Sequence, residues 1–325
     1  MSKTTVDKQK NLKTEHQEQL TKLLGTIPKG QKMVERIRSH QGWWRAFVLG
    51  LPEGEYFDGT NKEWKKVCNR VFDETTEDAI NFLTPNAKIA ALKAIEGRDD
   101  SNSGIIEESR LNYNLLSSQP LCFNFFGELM MDRELGLEIL KSWWPELTEL
   151  REVLFEFAPR ERYTQDNSAF DVAFEVAIGD KIGLIGLECK YTDSFSTKEY
   201  DKPIYKSFYN SSESFKATYD ELVKSRFNQL FRNQLIAESL FQKGDYDFVK
   251  TGLFCFQEDE KALATASSFK SMLSIPNEFK VITYIDYIEN VQMLNLNRDH
   301  REWTMLLWAR YCATILSYSV CNILK

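Results

Sequence analysis

Three residues of this chain, Asp171, Glu188 and Lys190, have the types and spacing to act on one point. They lie in FDVAFEVAIGDKIGLIGLECKY, residues 170–191, where Val172, Phe174, Val176 and Ile178 recur at period two and Asp171 and Glu175 take the other face. Gly179-Asp180 supplies a two-residue hairpin loop, because Gly accepts the positive φ needed at its first position. With that loop, Ile178 pairs with Lys181, and Asp171 falls opposite Glu188. Glu188 and Lys190 are two apart and share that face, whereas a one-residue slip would separate the acids. Two facing carboxylates repel and raise each other's pKa unless a cation lies between them. Hard oxygen ligands so placed suit Mg²⁺ or Mn²⁺. Lys190 fits a group that holds a water or stabilises charge on a phosphate.

Asp171 followed on the next strand by Glu188-Cys189-Lys190 resembles the active-site pattern of the PD-(D/E)XK nuclease superfamily, in its restriction-endonuclease-like branch. Phe170 stands where the family name has proline. The resemblance implies an α/β (α+β) fold with an αβββαβ core and a mixed central sheet. It also implies Mg²⁺-dependent phosphodiester hydrolysis, with Asp171, Glu188 and Lys190 catalytic. Asp171, Glu188 and the backbone carbonyl of Cys189 would hold metal. Glu128, in FNFFGEL, matches the acid that family members often add from the first core helix.

The elements that must position these residues follow from periodicity. Pro120 lies near a helix start, and Leu121, Phe125, Leu129, Met130, Leu135, Leu137, Ile139 and Leu140 predict a long helix that ends at Pro145. Val153–Ala158 reads as a strand before the hairpin, and a long helix over about Glu213–Gln242 closes at Gly244. Phe248–Phe256 and Phe279–Tyr287 read as strands, Asp259–Leu273 as a helix, and Arg298–Leu324 as a final amphipathic helix. From Pro120 onward the order is the αβββαβ of the resemblance, which covers about Asn114–Phe256. Glu175 would lie about 13 Å from Asp171 at about 3.3 Å per residue, too far to share an ion, and is expected near solvent or paired with a lysine. Glu156, on the preceding strand, is a more distant supporting acid.

Upstream, residues 1–25 read as a polar arm or frayed helix, and 26–104 as an N-terminal helical region. The latter has helices over Lys32–Leu49, Asn61–Phe72, Glu77–Leu83 and Pro85–Ile95, with LPEGEYFDGTNKEW and EGRDDSNSG as loops. Ile106–Asn114 is another helix, and residues 105–325 form the nuclease-like core. Trp43, Trp44, Arg36, Arg38 and Arg45 have two readings, a basic aromatic surface that stacks on bases or core packing, of which core packing is preferred.

Six cysteines without a C-x-x-C pair read as reduced core residues. Three histidines far apart give no support to zinc chemistry or a Ser-His-Asp triad. No run has the length of a membrane span and the N-terminus lacks a signal-peptide core, so a cytoplasmic protein without membrane contact is expected. A net charge of −7 argues against a non-specific nucleic-acid coating protein, while leaving room for a local basic groove. Arg160 and Arg162 before the hairpin, Lys198 and Lys202 after it, and Lys224, Arg226 and Arg232 on the long helix are candidate phosphate contacts. Gln229, Asn233 and Gln234 would add neutral hydrogen bonds.

The expected function is a metal-dependent DNA endonuclease of restriction or defence type, with RNA left open as substrate. Double-strand cleavage calls for two sites, hence a homodimer. The alternatives are a non-catalytic nucleic-acid-binding protein with the same fold, or a structural protein.

Overall fold

The computed structural model describes residues 3–71, 80–97 and 106–324, with side chains from residue 14 onward. In chain order the first elements are α1 (Lys3–Leu24), α2 (Met33–Trp43), the hairpin β1 (Gly54–Asp58) and β2 (Glu63–Val67), α3 (Pro85–Glu96), α4 (Glu108–Tyr113), α5 (Ser118–Met131) and α6 (Arg133–Lys141). Then come β3 (Glu149–Phe157), β4 (Phe170–Ile178), β5 (Lys181–Lys190), α7 (Pro203–Asn210), α8 (Tyr219–Leu222) and α9 (Ser225–Lys243). The chain closes with β6 (Phe248–Cys255), α10 (Glu260–Ser271), β7 (Phe279–Thr283), α11 (Tyr284–Gln292), α12 (Arg298–Leu307) and α13 (Ile315–Ile323). They form two compact units, one of Met1–Asn81, Glu108–Ser117 and Trp308–Lys325, the other of Phe82–Glu107 and Ser118–Leu307. Among the described residues no helix is long and apolar enough to cross a membrane.

The second unit is built on a five-stranded mixed sheet ordered β3-β4-β5-β6-β7. The β3, β4 and β5 pairs are antiparallel, and β5–β6 and β6–β7 are parallel. Gly179 has φ +59°, the positive value the tight loop requires, and the hairpin pairs Ile178 with Lys181 and Val172 with Leu187, the register expected from that loop. Both faces are covered. On one, Phe126 of α5 meets Phe174 at 5.5 Å and Phe125 meets Phe254 at 4.9 Å between ring centroids. On the other, α9 packs Ile236, Ala237 and Leu240 against Ala173 and Leu184. Strand alternation puts Asp171, Glu188 and Lys190 on the α9 face. The helix α3 lies close to α5: a Cβ on Gly127 would come within 2.8 Å of Ala87 Cα, so only glycine permits that approach.

Several predicted boundaries move, each for a local reason. The predicted helix through Leu140 breaks at Asp132, whose side chain caps α6 by accepting from Leu135 N at 2.9 Å. The strand expected to Tyr287 stops at Thr283, which caps α11 by accepting from Asp286 N at 3.2 Å. The helix expected from Glu213 starts at Ser225, after the single turn α8, and a further helix, α7, begins at Pro203. The left-handed Gly244, at φ 78°, ends α9 as read.

In the first unit, the helix expected over Asn61–Phe72 is instead β2, paired with β1 in a stretch read as loop. Asp58 sets the connecting turn, accepting from Thr60 N at 3.0 Å and Asn61 N at 3.3 Å, and Lys65 reaches it at 2.6 Å. Of the helix predicted over Glu77–Leu83, residues 77–79 fall outside the described residues and 80–83 form a turn rather than a helix, while the EGRDDSNSG loop falls largely outside the described residues. The Trp43-Trp44-Arg45 segment supplies core, as the packing reading preferred: Trp44 and Arg45 are buried.

His40 of α2 is also buried, with ring nitrogens 3.0 Å from Ser317 Oγ and 2.9 Å from the Ala309 carbonyl. Burial pushes its imidazole down to about 4, from an ordinary 6.5. The unfolded chain therefore takes up a proton near pH 6.5 that the folded chain refuses until about 4, and stability is lost as pH falls through that window. The gap is worth roughly 3 kcal/mol. Wild type should lose most of that between pH 7 and pH 4.5 relative to a His40→Gln variant, measured by urea unfolding at each pH. Parallel pH dependence in the two proteins would show that His40 is not the group responsible.

Candidate active site

The acids meet because the antiparallel register leaves Asp171, at the start of β4, against the end of β5. Asp171 Oδ2 accepts from the Cys189 backbone N–H at 2.6 Å, which ties the two strands at that point. Lys190 Nζ lies 3.0 Å from Glu188 Oε1, and both side chains are buried, at 7 % and 4 % exposed. The Lys190 carbonyl in turn accepts from the Tyr284 hydroxyl at the start of α11. Asp171 remains partly open to solvent.

The helix α9 completes the constellation. Gln229 donates through Nε2 to Glu188 Oε1 at 2.6 Å and accepts from Lys190 Nζ through Oε1 at 3.0 Å. Asn233, one turn on, donates to Glu188 Oε2 at 2.8 Å. Both were expected to face nucleic acid, and instead they hold the glutamate and lysine in place. Their i, i+4 spacing is the signal, since it puts two amides on one face of a helix that buries Phe227, Leu230 and Phe231 beside them.

Replacing Gln229 with leucine should lower the single-turnover cleavage rate about tenfold to a hundredfold, with little change in substrate affinity, because the reacting groups remain but lose their orientation. An unchanged rate would show that Lys190 and Glu188 need no such support.

The electrostatics are those of crowded, mostly buried charges of both signs. Burial raises the Asp171 carboxyl well above the usual aspartate range, and the charges of Glu188 and then Glu156 push it the same way, against the Cys189 N–H and Lys190. For Lys190, burial works to lower its pKa, but Glu188 and Asp171 outweigh that and raise it, so the ammonium stays protonated. Glu156 is the third acid. It sits on β3 between Phe155, which pairs with Val172, and Phe157, which pairs with Phe170, and its φ of 48° is strained for a residue with a side chain. Gln119 of α5 donates to its Oε1 at 3.0 Å.

Among the described residues no group of three or more Asp, Glu, His or Cys side chains is placed to hold an ion. Asp171 and Glu188 nonetheless fit a hard divalent cation, which ordinarily keeps several water or substrate oxygens beside one or two carboxylates. Glu128 departs from the expected role: it is buried and committed elsewhere, accepting from Thr84 Oγ1 at 2.6 Å and Asn86 Nδ2 at 2.7 Å. It thus anchors the start of α3, because Thr84 is the cap of that helix. Glu175 is partly exposed, as expected, but pairs with arginine: Arg151 Nε reaches it at 3.0 Å, and the Tyr246 hydroxyl at 3.3 Å.

The predicted phosphate contacts divide into two groups. Arg160, Lys198, Lys224 and Arg226 are exposed, Arg226 also donating to Ser268 Oγ at 3.1 Å. Arg162 is turned inward, to the Asp166 carbonyl at 3.2 Å and Asn167 Oδ1 at 3.1 Å. Lys202 donates to the Gln165 carbonyl. Arg232 stacks on the Tyr200 ring at 4.5 Å and approaches Asp166 at 3.8 Å. These last three organise the β3–β4 loop, since Asp166 also accepts from Tyr205, Thr164 and Ser168.

A family model described as PD-(D/E)XK nuclease superfamily matches residues 28–313. The chain belongs to that superfamily, and its mixed sheet flanked by helices is consistent with the restriction-endonuclease-like fold. Membership makes nuclease activity the expectation for the chain, and divalent metal ions are typical of the family. No curated protein and no solved structure matches the chain.

Proposed function

We propose that the protein is a Mg²⁺-dependent endodeoxyribonuclease of restriction or defence type, with Mn²⁺ as a substitute ion. The observation that supports this most is the meeting of Asp171, Glu188 and Lys190 at one end of β4 and β5, with Gln229 bridging the last two. Asp171, Glu188 and the Cys189 carbonyl would hold the ion, which when bound polarises the scissile phosphate and lowers the pKa of a water. Lys190, kept protonated, is a cation rather than a base. Its role is to orient the attacking water or to offset negative charge that grows on the phosphate during cleavage. Gln229 fixes its direction without neutralising it, and Asn233 keeps Glu188 aimed at the same point.

Arg160, Lys198, Lys224 and Arg226 are the side chains offered to a nucleic-acid backbone. Cytoplasmic DNA would be the substrate, and a homodimer would supply the two sites that double-strand cleavage needs.

Supercoiled plasmid, linear DNA and RNA incubated with the purified protein, in Mg²⁺ and in EDTA, test this. Nicked and linear plasmid should form in Mg²⁺ alone. Cleavage of RNA only would replace the substrate, and no cleavage of anything in Mg²⁺ or Mn²⁺ would remove the catalytic reading. A non-catalytic relative would bind DNA in EDTA and tolerate Lys190→Ala.

A further inference from the structure

The first unit carries a cluster of cations unrelated to the acids of the sheet. Arg38 of α2, Lys66 of β2 and Arg70 line a cavity of about 490 Å³ together with Tyr56, Asn69 and Asn114. That size is ordinary for a small-molecule pocket. Arg38 and Lys66 are exposed, and the nearest carboxylate to either ammonium or guanidinium among the described residues is Glu55, 4.0 Å from Lys66 Nζ.

Arg70 is the unusual member. Its side chain is half-buried, its Nε is buried and has no hydrogen-bond partner among the described residues, and one terminal nitrogen donates weakly to the Ser109 carbonyl at 3.4 Å. Burial lowers its pKa, and no carboxylate among the described residues offsets that. The two fully buried arginines of the same unit are treated differently: Arg45 donates to four backbone carbonyls, and Arg310 to both oxygens of Asn81. Arg70 is half withdrawn from water with no carboxylate paired to it among the described residues, a desolvation cost that a bound anion would offset.

We propose that this cavity binds the phosphate of a nucleotide, either a free mononucleotide or a nucleotide within a strand. Arg70 and Arg38 present planar donor forks suited to phosphate oxygens, and Lys66 adds a point charge. Tyr56 offers a ring and the two asparagines offer amide donors and acceptors for the rest of the ligand. The site is separate from the one proposed for hydrolysis, and its presence does not depend on that activity.

The test uses the full chain in EDTA, with adenosine, AMP, ATP and a ten-residue oligothymidylate as probes, read by calorimetric titration. AMP or ATP should bind where adenosine does not. Binding of the oligonucleotide alone would assign the phosphate to a strand. Arg70→Met should weaken that binding about tenfold to a hundredfold, while the unliganded thermal midpoint stays level or rises. Lys66→Glu, at an exposed position, should weaken it as well without lowering the midpoint, and it decides the matter if Arg70→Met folds poorly. Unaltered binding in both variants, or no binding of any phosphate-bearing probe to wild type, would overturn the proposal.

Discussion

Replacing Glu188 with glutamine should reduce metal-dependent cleavage at least about a thousandfold while leaving the protein folded. The substitution keeps the shape but removes the charge that Lys190 faces at 3.0 Å and that raises the Asp171 carboxyl. It also turns one acceptor into an amide donor, which would then confront the donors of Gln229 or Asn233. Asp171→Asn and Lys190→Ala should produce losses of the same order, because the three groups act on one point and their effects do not add. Thermal unfolding separates the outcomes. A midpoint within a few degrees of wild type, with cleavage lost, is the signature of a site. Full activity in all three purified variants would end the assignment.

The largest effect on stability is expected at Arg45. Its guanidinium donates to the carbonyls of Cys68 at 2.9 Å, Leu23 at 2.9 Å and Leu24 at 3.0 Å, and to that of Leu51, joining the turn after α2 to the end of α1 and the end of β2. Arg45→Leu would leave these carbonyls unsatisfied in an interior that excludes water, at a cost of about 3–5 kcal/mol. Lysine should recover little of this, since a single ammonium cannot reproduce the planar fork. Denaturant unfolding measures it directly, and a loss below about 1 kcal/mol would mean that water reaches the carbonyls.

Arg45 also shows what a chain hides. Charge and an adjacent tryptophan pair are compatible with a nucleic-acid surface, and only the fold reveals carbonyls waiting around the guanidinium. The hairpin was legible for the opposite reason: its register depends on a two-residue loop and on alternation, both local, so the meeting of Asp171 with the β5 end followed from sequence alone. Trp64, Val67, Cys68 and Val71 recur at i, i+3, i+4 and i+7 and mimic a helix, yet pairing with β1 makes the first two of them strand. Glu128 sits on the expected helix, but its partners Thr84 and Asn86 come from a segment over forty residues away, which no local pattern announces. Gln229 and Asn233 were recognisable as polar, while their target, Glu188, depended on how α9 crosses the sheet.

The central claim is that Asp171 and Glu188 together create a divalent-ion site. Titration of Mn²⁺ into the nucleic-acid-free protein, with free ion counted by electron paramagnetic resonance, addresses it most directly. Wild type should take up at least one ion per chain that the Asp171→Asn, Glu188→Gln double variant does not. Superimposable titrations of the two proteins would contradict the account.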